Sequence, residues 1–429
     1  MKSFLSDKNY LDTLSNIERK KYLQKVRLVK LLHAEGAKSN ADIYRILNIS
    51  SPTSLILINE LLCEGVIEKK GKGRSIGGRK PELYSLQDET FYVLCIGMER
   101  FTTEIAILDN NNNNISGTHK FTLRMTKDKS AVSQLYDLAN SVILTSGINT
   151  KKFVGVGLSM PGMINSNAGK NYTYLFSGDD SKSLQDSLEE LFKKPVYIQN
   201  DVKTNALAEF RFGRASGSKD VLVLLMDWGI GLGIIMDGKL QGGISGLSGE
   251  MGHMPFVTDG ELCYCGRRGC LETVASGHAL ARMAKQGIQS GETSMLNSLS
   301  ADELEHIEPY IIIEAANKGD QYAINILSDI GQNLGKALAT LIQLFNPALI
   351  ILSGKLAEAK QHITTPIKHS INSYCNPRMR ENTEVVLSEL EIDASLQVSA
   401  SIVLENIFEK QIELASYRSA VSLSYSRAS

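Results

Sequence analysis

Between Gly249 and Glu272 the chain reads GEMGHMPFVTDGELCYCGRRGCLE, and no other stretch restricts its folding so closely. Three of the six cysteines, Cys263, Cys265 and Cys270, fall within eight residues, and His253 stands ten residues before the first. Three thiolates and an imidazole at that density form the donor set of a tetrahedral zinc with four protein ligands and no open position. A closed site of this kind is structural, and it would pin a loop rich in Gly and poor in apolar side chains. A disulfide, or chance clustering of the cysteines, is the competing reading. The disulfide fits poorly, because Cys-x-Cys is a tight span for an unstrained bridge and the chain reads as cytoplasmic.

With 429 residues the chain has room for two or three domains. Its 43% hydrophobic and 22% charged content is ordinary for a globular protein. A net charge of -1 gives no global attraction to nucleic acid, so any such contact must come from a local basic patch. The first twenty residues lack an apolar signal-like core, and no run approaches the ~20 apolar residues of a membrane span. The expected location is a reducing cytoplasm, with Cys63, Cys95 and Cys375 buried as isolated thiols.

Residues 1–19 are polar and are expected to form a mobile arm. From Lys20 the spacing of Tyr22, Val26, Val29 and Leu32 predicts an amphipathic helix closed by Gly36. Ser39 caps a second helix with Ile43, Ile46 and Leu47 on its inner face. Asn48 stands where a sharp turn requires a left-handed residue. Ser50 or Ser51 then starts a third helix, with Pro52 near its first position and Ile58, Leu61 and Leu62 facing inward. Three short helices, two of them joined by a tight turn, make a helix-turn-helix unit. Val66 and Ile67, then KKGKGRSIGGRK, then ELYSL, add a wing.

Lys69, Lys70, Lys72, Arg74, Arg79 and Lys80 carry six cations with no acid among them. Phosphate contact is the natural use of such a run. The segment Gly77-Gly78-Arg79-Lys80-Pro81 resembles a hook for an A·T-rich minor groove. Candidate DNA contacts are Ser51, Thr53, Ser54, Lys72, Arg74, Arg79 and Lys80. The third helix offers mostly hydroxyl and apolar groups, Leu55 and Ile56 among them, so its base readout would be weak. Tyr44 is bulky where such motifs pack a small residue, which leaves docking of a protein partner as an alternative.

From about residue 89 strands and helices alternate. FYVLCIGM, TTEIAILD and HKFTLRM predict a meander, followed by a helix over about 129–145 and buried strands at FVGVGLSM and PVYIQN. A helix over about 202–213 precedes two strands in VLVLLMDWGIGLGIIMDGKL. Helices then dominate to Phe345, before strands at ALIILSG and TEVVLSEL and a closing helix in SLQVSASIVLENIFEK. Residues 413–429 are Ser-rich and are expected to be a flexible tail.

These pieces, with GEMGH followed by CxCGxxGCxE, resemble the ROK family (repressors, open reading frames, kinases) over about residues 20–410. The resemblance implies an α/β fold: a winged helix-turn-helix over 20–88, then an actin/hexokinase-like two-lobed body over 89–412, its second lobe at about 200–390. The leading module implies the repressor branch, with a double-stranded DNA operator and a homodimer or homotetramer as partners. The resemblance also implies zinc ligation by His253, Cys263, Cys265 and Cys270. It implies contacts from Asn200, Asp201, Glu250, His253 and Glu272 to the hydroxyls of a sugar or sugar-phosphate effector. Carboxylates and amides suit vicinal hydroxyls, each of which donates and accepts.

Family kinases hold the triphosphate on three glycine-bearing loops. Asp-x-Gly-Gly-Thr reads here Cys95-Ile96-Gly97-Met98-Glu99. Gly-Thr-Gly-x-Gly reads Asp227-Trp228-Gly229-Ile230-Gly231, and Gly-Gly-Gly reads Ser353-Gly354-Lys355. Added anions and lost glycines oppose phosphate binding. Asp201, at the family's base position, is then expected to bind and not to catalyse. The element Asn-Leu-x-x-Trp of the kinases is replaced by Tyr174-Leu175-Phe176-Ser177-Gly178, so the identity of the sugar stays open. Three functions compete: a DNA-binding sugar sensor, an ATP-dependent sugar kinase, and a sugar-sensing interaction module.

Overall fold

Ser15 starts the first long helix by a reciprocal cap, in which its hydroxyl accepts from the Glu18 amide while Glu18 reaches back to the Ser15 amide. In this computed structural model, which describes residues 4–5, 8–73, 80–126, 130–174, 182–391 and 393–425, that helix spans Asn16–Glu35. It therefore begins before Lys20, and a further helix, Lys8–Thr13, precedes it with Leu11 buried. Where a mobile arm was expected, most of the described residues are helical. Helices Asn40–Ile46 and Ser51–Cys63 are capped by Ser39 and Ser50 and bent by 114° about a turn whose Asn48 has φ 52°. Strands Ile67–Lys72 and Glu82–Leu86 pair antiparallel with a bulge between Lys69 and Gly71, giving the wing. Residues 74–79, including Arg74 and Arg79, lie outside the described residues.

The body contains two five-stranded sheets with the same strand order, third-second-first-fourth-fifth in chain order. In the first, Tyr92–Met98, Thr102–Asp109 and His119–Thr122 form the meander, and Phe153–Met160 lies parallel to Tyr92–Met98 before Val196–Asn200. In the second, Val221–Met226, Ile230–Met236 and Lys239–Leu240 repeat it, with Leu349–Ser353 parallel to Val221–Met226 and Glu384–Leu387 outermost. A meander followed by parallel strands needs helical crossovers, here Ser130–Thr145 in the first and Gln321–Phe345 in the second. Two such sheets are the duplicated core of an actin- or hexokinase-like body.

By contacts the chain divides into two units, residues 1–160, 173–198 and 396–429, and residues 161–172 and 199–395. In the first, Tyr22, Val29, Leu32, Ile58 and Leu61 of the helix-turn-helix share one apolar cluster with Phe91, Val93 and Ala106 of the sheet. Leu404 and Phe408 of the C-terminal helix Ala394–Tyr425 complete it. That helix lies so close to Phe153–Met160 that a side chain at Gly157 would meet the Ser399 carbonyl at 2.9 Å. It also continues past 412, where a flexible tail was expected. Arg19, buried, donates to the carbonyls of Ala415 at 3.0 Å and Leu414 at 2.6 Å, which holds the residues of the expected tail onto the first long helix.

In the second unit Leu222, Leu224, Ile350 and Leu352 pack under Leu334 and Leu338. Two smaller expectations fail. Cys63 is exposed at the end of its helix, and Ile46 is 48% exposed and so not on the inner face. Among the described residues no single helix is long and apolar enough to cross a membrane.

Candidate functional site

The four expected metal ligands converge. One donor atom from each of His253, Cys263, Cys265 and Cys270 lies within 4.8 Å of every other. His253 Nδ1 is 3.5 Å from Cys263 Sγ, and Cys265 Sγ is 3.6 Å from Cys270 Sγ. A tetrahedron with zinc–sulfur bonds of about 2.3 Å has edges of about 3.5–3.8 Å, so the donor set fits the ion. The sulfurs are too far apart for a bridge of about 2.05 Å, and all six cysteines are free. The loop is shaped before any metal is considered. The Cys263 amide donates to the Arg267 carbonyl at 2.8 Å, and Gly266 returns to the Cys263 carbonyl at 2.9 Å. The Leu271 amide pairs with Met254 at 3.1 Å. Gly249, with φ 84°, lies against the Leu232 carbonyl, where any Cβ would collide.

Beside this loop the second unit gathers carboxylates. Asn200 caps the helix Asp201–Phe212, its Oδ1 accepting from the Val202 and Lys203 amides while its Nδ2 donates to the Gly162 carbonyl at 3.0 Å. Its side chain is largely committed to holding the 161–162 loop against the helix start. Asp201 is half-buried and accepts from the Val202 amide at 2.8 Å. Glu272 is buried, with Oε2 accepting from the Ile230 amide at 3.1 Å. Glu250 is half-buried, and its carboxylate makes no hydrogen bond among the described residues. Burial pushes the Asp201 carboxyl up to about 7, with the charges of Asp227 and Glu250 adding to it. Burial also takes Glu272 up to about 7, reinforced by Glu250 against the lowering effect of the Ile230 hydrogen bond. Glu250 itself is raised by burial and partly relieved by Lys203.

Lys203 is the residue that the sequence did not single out. It is buried, donates to the Gly246 carbonyl, and lies close enough to Glu250 and Asp201 to offset their charge. Burial nevertheless lowers its own pKa. Its signal was its place two residues after Asp201 on one helix, but its partner is 43 positions away. Asp227, expected only as a phosphate-repelling anion, joins the same acidic group. The cluster brings together several carboxylates with raised pKa values and one amine, groups whose chemistry suits pairing with hydroxyls.

On the head, Ser51 is exposed and Thr53 half-exposed, its hydroxyl 2.7 Å from that of Ser50. Ser54 is fully buried, its hydroxyl without a hydrogen-bond partner, so it cannot meet DNA. It lies one position before the exposed pair, on the inner face with Leu57 and Ile58. Leu55 and Ile56, 45% and 54% exposed, stand on the outer face instead. Lys72 and Lys80, at either end of the wing, are both exposed.

A helix-turn-helix head on a duplicated α/β body with a Cys/His loop beside buried carboxylates defines a protein of the sugar-kinase-like class fused to a DNA-reading module. The chain belongs to the ROK family, whose match covers residues 93–406. It is 26% identical over 378 residues to the DNA-binding transcriptional dual regulator NagC of Escherichia coli, covering 88% of this chain and 91% of that one. It is 28% identical over 390 residues to the xylose repressor of Bacillus spizizenii, covering 91% and 97%. A glucokinase of Halalkalibacterium halodurans is 34% identical over 244 residues, which cover 57% of this chain and 74% of the kinase. In fold the chain is similar to a ROK family transcriptional regulator, a homolog of the E. coli MLC protein. That match has a TM-score of 0.75 and 23% identity and covers 93% of this chain and 99% of that one. It is also similar to a ROK family glucokinase from Streptomyces griseus, with a TM-score of 0.62 and 27% identity, covering 72% and 98%.

Proposed function

We propose that the protein is a sugar-responsive DNA-binding transcriptional regulator, a repressor of carbohydrate-utilisation genes. The observation that carries this is one chain joining a helix-turn-helix with an exposed cationic wing to an acidic, hydroxyl-binding cluster. Relatives named as regulators and repressors span both parts of the chain, whereas the glucokinase covers 57% of it. Asp201, Glu250 and Glu272 accept the sugar's hydroxyls, Asn200 and His253 donate to them, and Lys203 moderates the charge. His253, Cys263, Cys265 and Cys270 hold a zinc ion that closes all four positions and supplies rigidity, with no catalysis. Binding His253 through Nδ1 would leave Nε2 protonated as a donor. Lys72 and Lys80, with Arg74 and Arg79, supply phosphate and minor-groove contacts, while Ser51 and Thr53 face the bases. The protein works as a homodimer or homotetramer on a palindromic operator in the cytoplasm.

Phosphoryl transfer is disfavoured by the chain's own residues. Cys95, where family kinases place an Asp, is buried in the apolar cluster of the first unit, and its thiol is pushed far up by that burial. Asp227 adds negative charge where a phosphate would lie. The Ser353 hydroxyl is spent on Asn205 Oδ1 at 2.7 Å. The test is fluorescence anisotropy on operator DNA with sugars and sugar phosphates added in turn, and ATP turnover measured in parallel. The expected result is DNA release or recruitment by one ligand, abolished in Glu250→Ala/Glu272→Ala, with no ATP consumed. Retained response in the double variant, or sugar-dependent ATP hydrolysis, would overturn the reading.

A further inference from the structure

His253 has two ring nitrogens and three claimants. Nδ1 faces the Cys263 sulfur at 3.5 Å, within the metal-ligand cluster. Only Nε2 is then left to meet a sugar hydroxyl, and in the structure it is already engaged. The Tyr264 hydroxyl lies 3.0 Å from Nε2, and the two rings meet edge-on, 5.0 Å between centroids at 81°. Tyr264 is the residue between the first two cysteines, so the backbone that places two thiolates also fixes where this phenol starts from. Yet the side chain itself is 65% exposed, while His253 is buried. The phenol meets the buried imidazole through this hydrogen bond and this edge contact, and most of its surface faces solvent, so it has room to turn away from the ring.

We propose that Tyr264 is a built-in competitor of the effector: its hydroxyl occupies the His253 donor that a sugar hydroxyl would use, and a ligand must displace it to bind. This rests on the sugar-sensing reading above, in which His253 contacts the ligand. A phenol and a sugar hydroxyl present the same acceptor oxygen to an N–H, so the exchange conserves the hydrogen bond. Its cost is the lost Tyr264 contact, and the ligands it penalises are those that reach His253. Tyr264 thereby sets a threshold concentration for the effector without touching the carboxylates. The neighbouring charges do not supply the effect. Arg267, which faces the same ring, and Lys203, which faces Glu250, are both unchanged by altering the phenol.

The test uses zinc-loaded full-length protein and its Tyr264→Phe variant, which keeps the ring and removes the hydroxyl. Two measurements separate this proposal from the sugar reading on which it rests. In protein labelled with ¹⁵N at histidine, solvent exchange of the His253 Nε2 proton is expected to accelerate several-fold in the variant. Unchanged exchange would overturn the proposal whatever the ligand is. Titration with glucose, xylose and N-acetylglucosamine follows, read by the fluorescence of Trp228, the single tryptophan, two residues before the Ile230 amide that holds Glu272. The ligand that binds wild type is expected to bind Tyr264→Phe about 2- to 10-fold more tightly, the range of one uncharged hydrogen bond. Equal or weaker binding would overturn the competitor role. Unchanged zinc content and melting temperature in the variant exclude collapse of the loop as the cause.

Discussion

Asp201 holds its proton to about 7 because burial and the anions of Asp227 and Glu250 outweigh the Val202 amide that stabilises its charge. A carboxyl raised in the folded state costs stability as it ionises. Between its unfolded value of 3.8 and about 7 the unfolded chain releases the proton first, so stability falls as pH rises through that window. Asp201→Asn removes the penalty while keeping an acceptor for Val202. The melting temperature of the variant should match wild type at about pH 3, below that window, and exceed it by about 2–5 °C at pH 8. A gain that does not depend on pH would mean that the side chain acts by packing and not by charge. The residues of this cluster were legible in sequence to unequal degrees. Glu250 and Glu272 stand in one contiguous signature and Asp201 in an Asn-Asp pair ahead of it, but Lys203 enters through a bond to Gly246 that no local pattern encodes. Tyr264 was hidden differently: a residue between two ligands can point either way.

The second helix of the helix-turn-helix, Ser51–Cys63, separates its faces more sharply than its composition does. Apolar residues fill it almost throughout, so spacing alone does not say which serine faces out. Packing decides it: Ser54 turns inward with Leu57, Ile58 and Leu61, and Leu55 and Ile56 turn outward. A buried hydroxyl with no partner contributes nothing to offset its desolvation, so Ser54→Ala should leave operator affinity unchanged and stability equal or slightly higher. Lys72→Ala, at the wing, should weaken binding evenly across DNA sequences and reduce the salt dependence by about one ion. Anisotropy titrations at several salt concentrations distinguish the two, and a sequence-specific loss from Ser54→Ala would contradict the burial. The same inward packing explains why the termini were misread. Arg19 bonds the carbonyls of Leu414 and Ala415, 395 and 396 positions away, a contact that no local pattern shows.

At the scale of the molecule, the two units carry separate supports, and perturbing one should leave the other in place. The first is tied by Arg19, whose guanidinium satisfies the Leu414 and Ala415 carbonyls and lies 3.7 Å from Asp12. It joins the head and the C-terminal helix into the same core as the first sheet, with Tyr22 Oη donating to Gln411 Oε1 at 2.6 Å. The second contains the glycine-rich loop of His253, Cys263, Cys265 and Cys270, which is shaped by its own backbone hydrogen bonds and brings the four side chains together. Removing Arg19 leaves buried carbonyls unpaired, a loss of about 1.5–3 kcal/mol for a charged donor. Under the proposed zinc ligation, removing one of the four side chains should loosen the wall that carries Glu250 and Glu272. Hydrogen exchange read by mass spectrometry should therefore show Arg19→Ala deprotecting residues 16–35 and 396–415, with weakened DNA binding. Cys270→Ser should deprotect residues 249–275 instead, with less bound zinc and a reduced response to effector. The crossed pattern is decisive, because a metal needed only for overall folding would make Cys270→Ser deprotect both units together, and zinc retained in that variant would remove Cys270 from the ligand set.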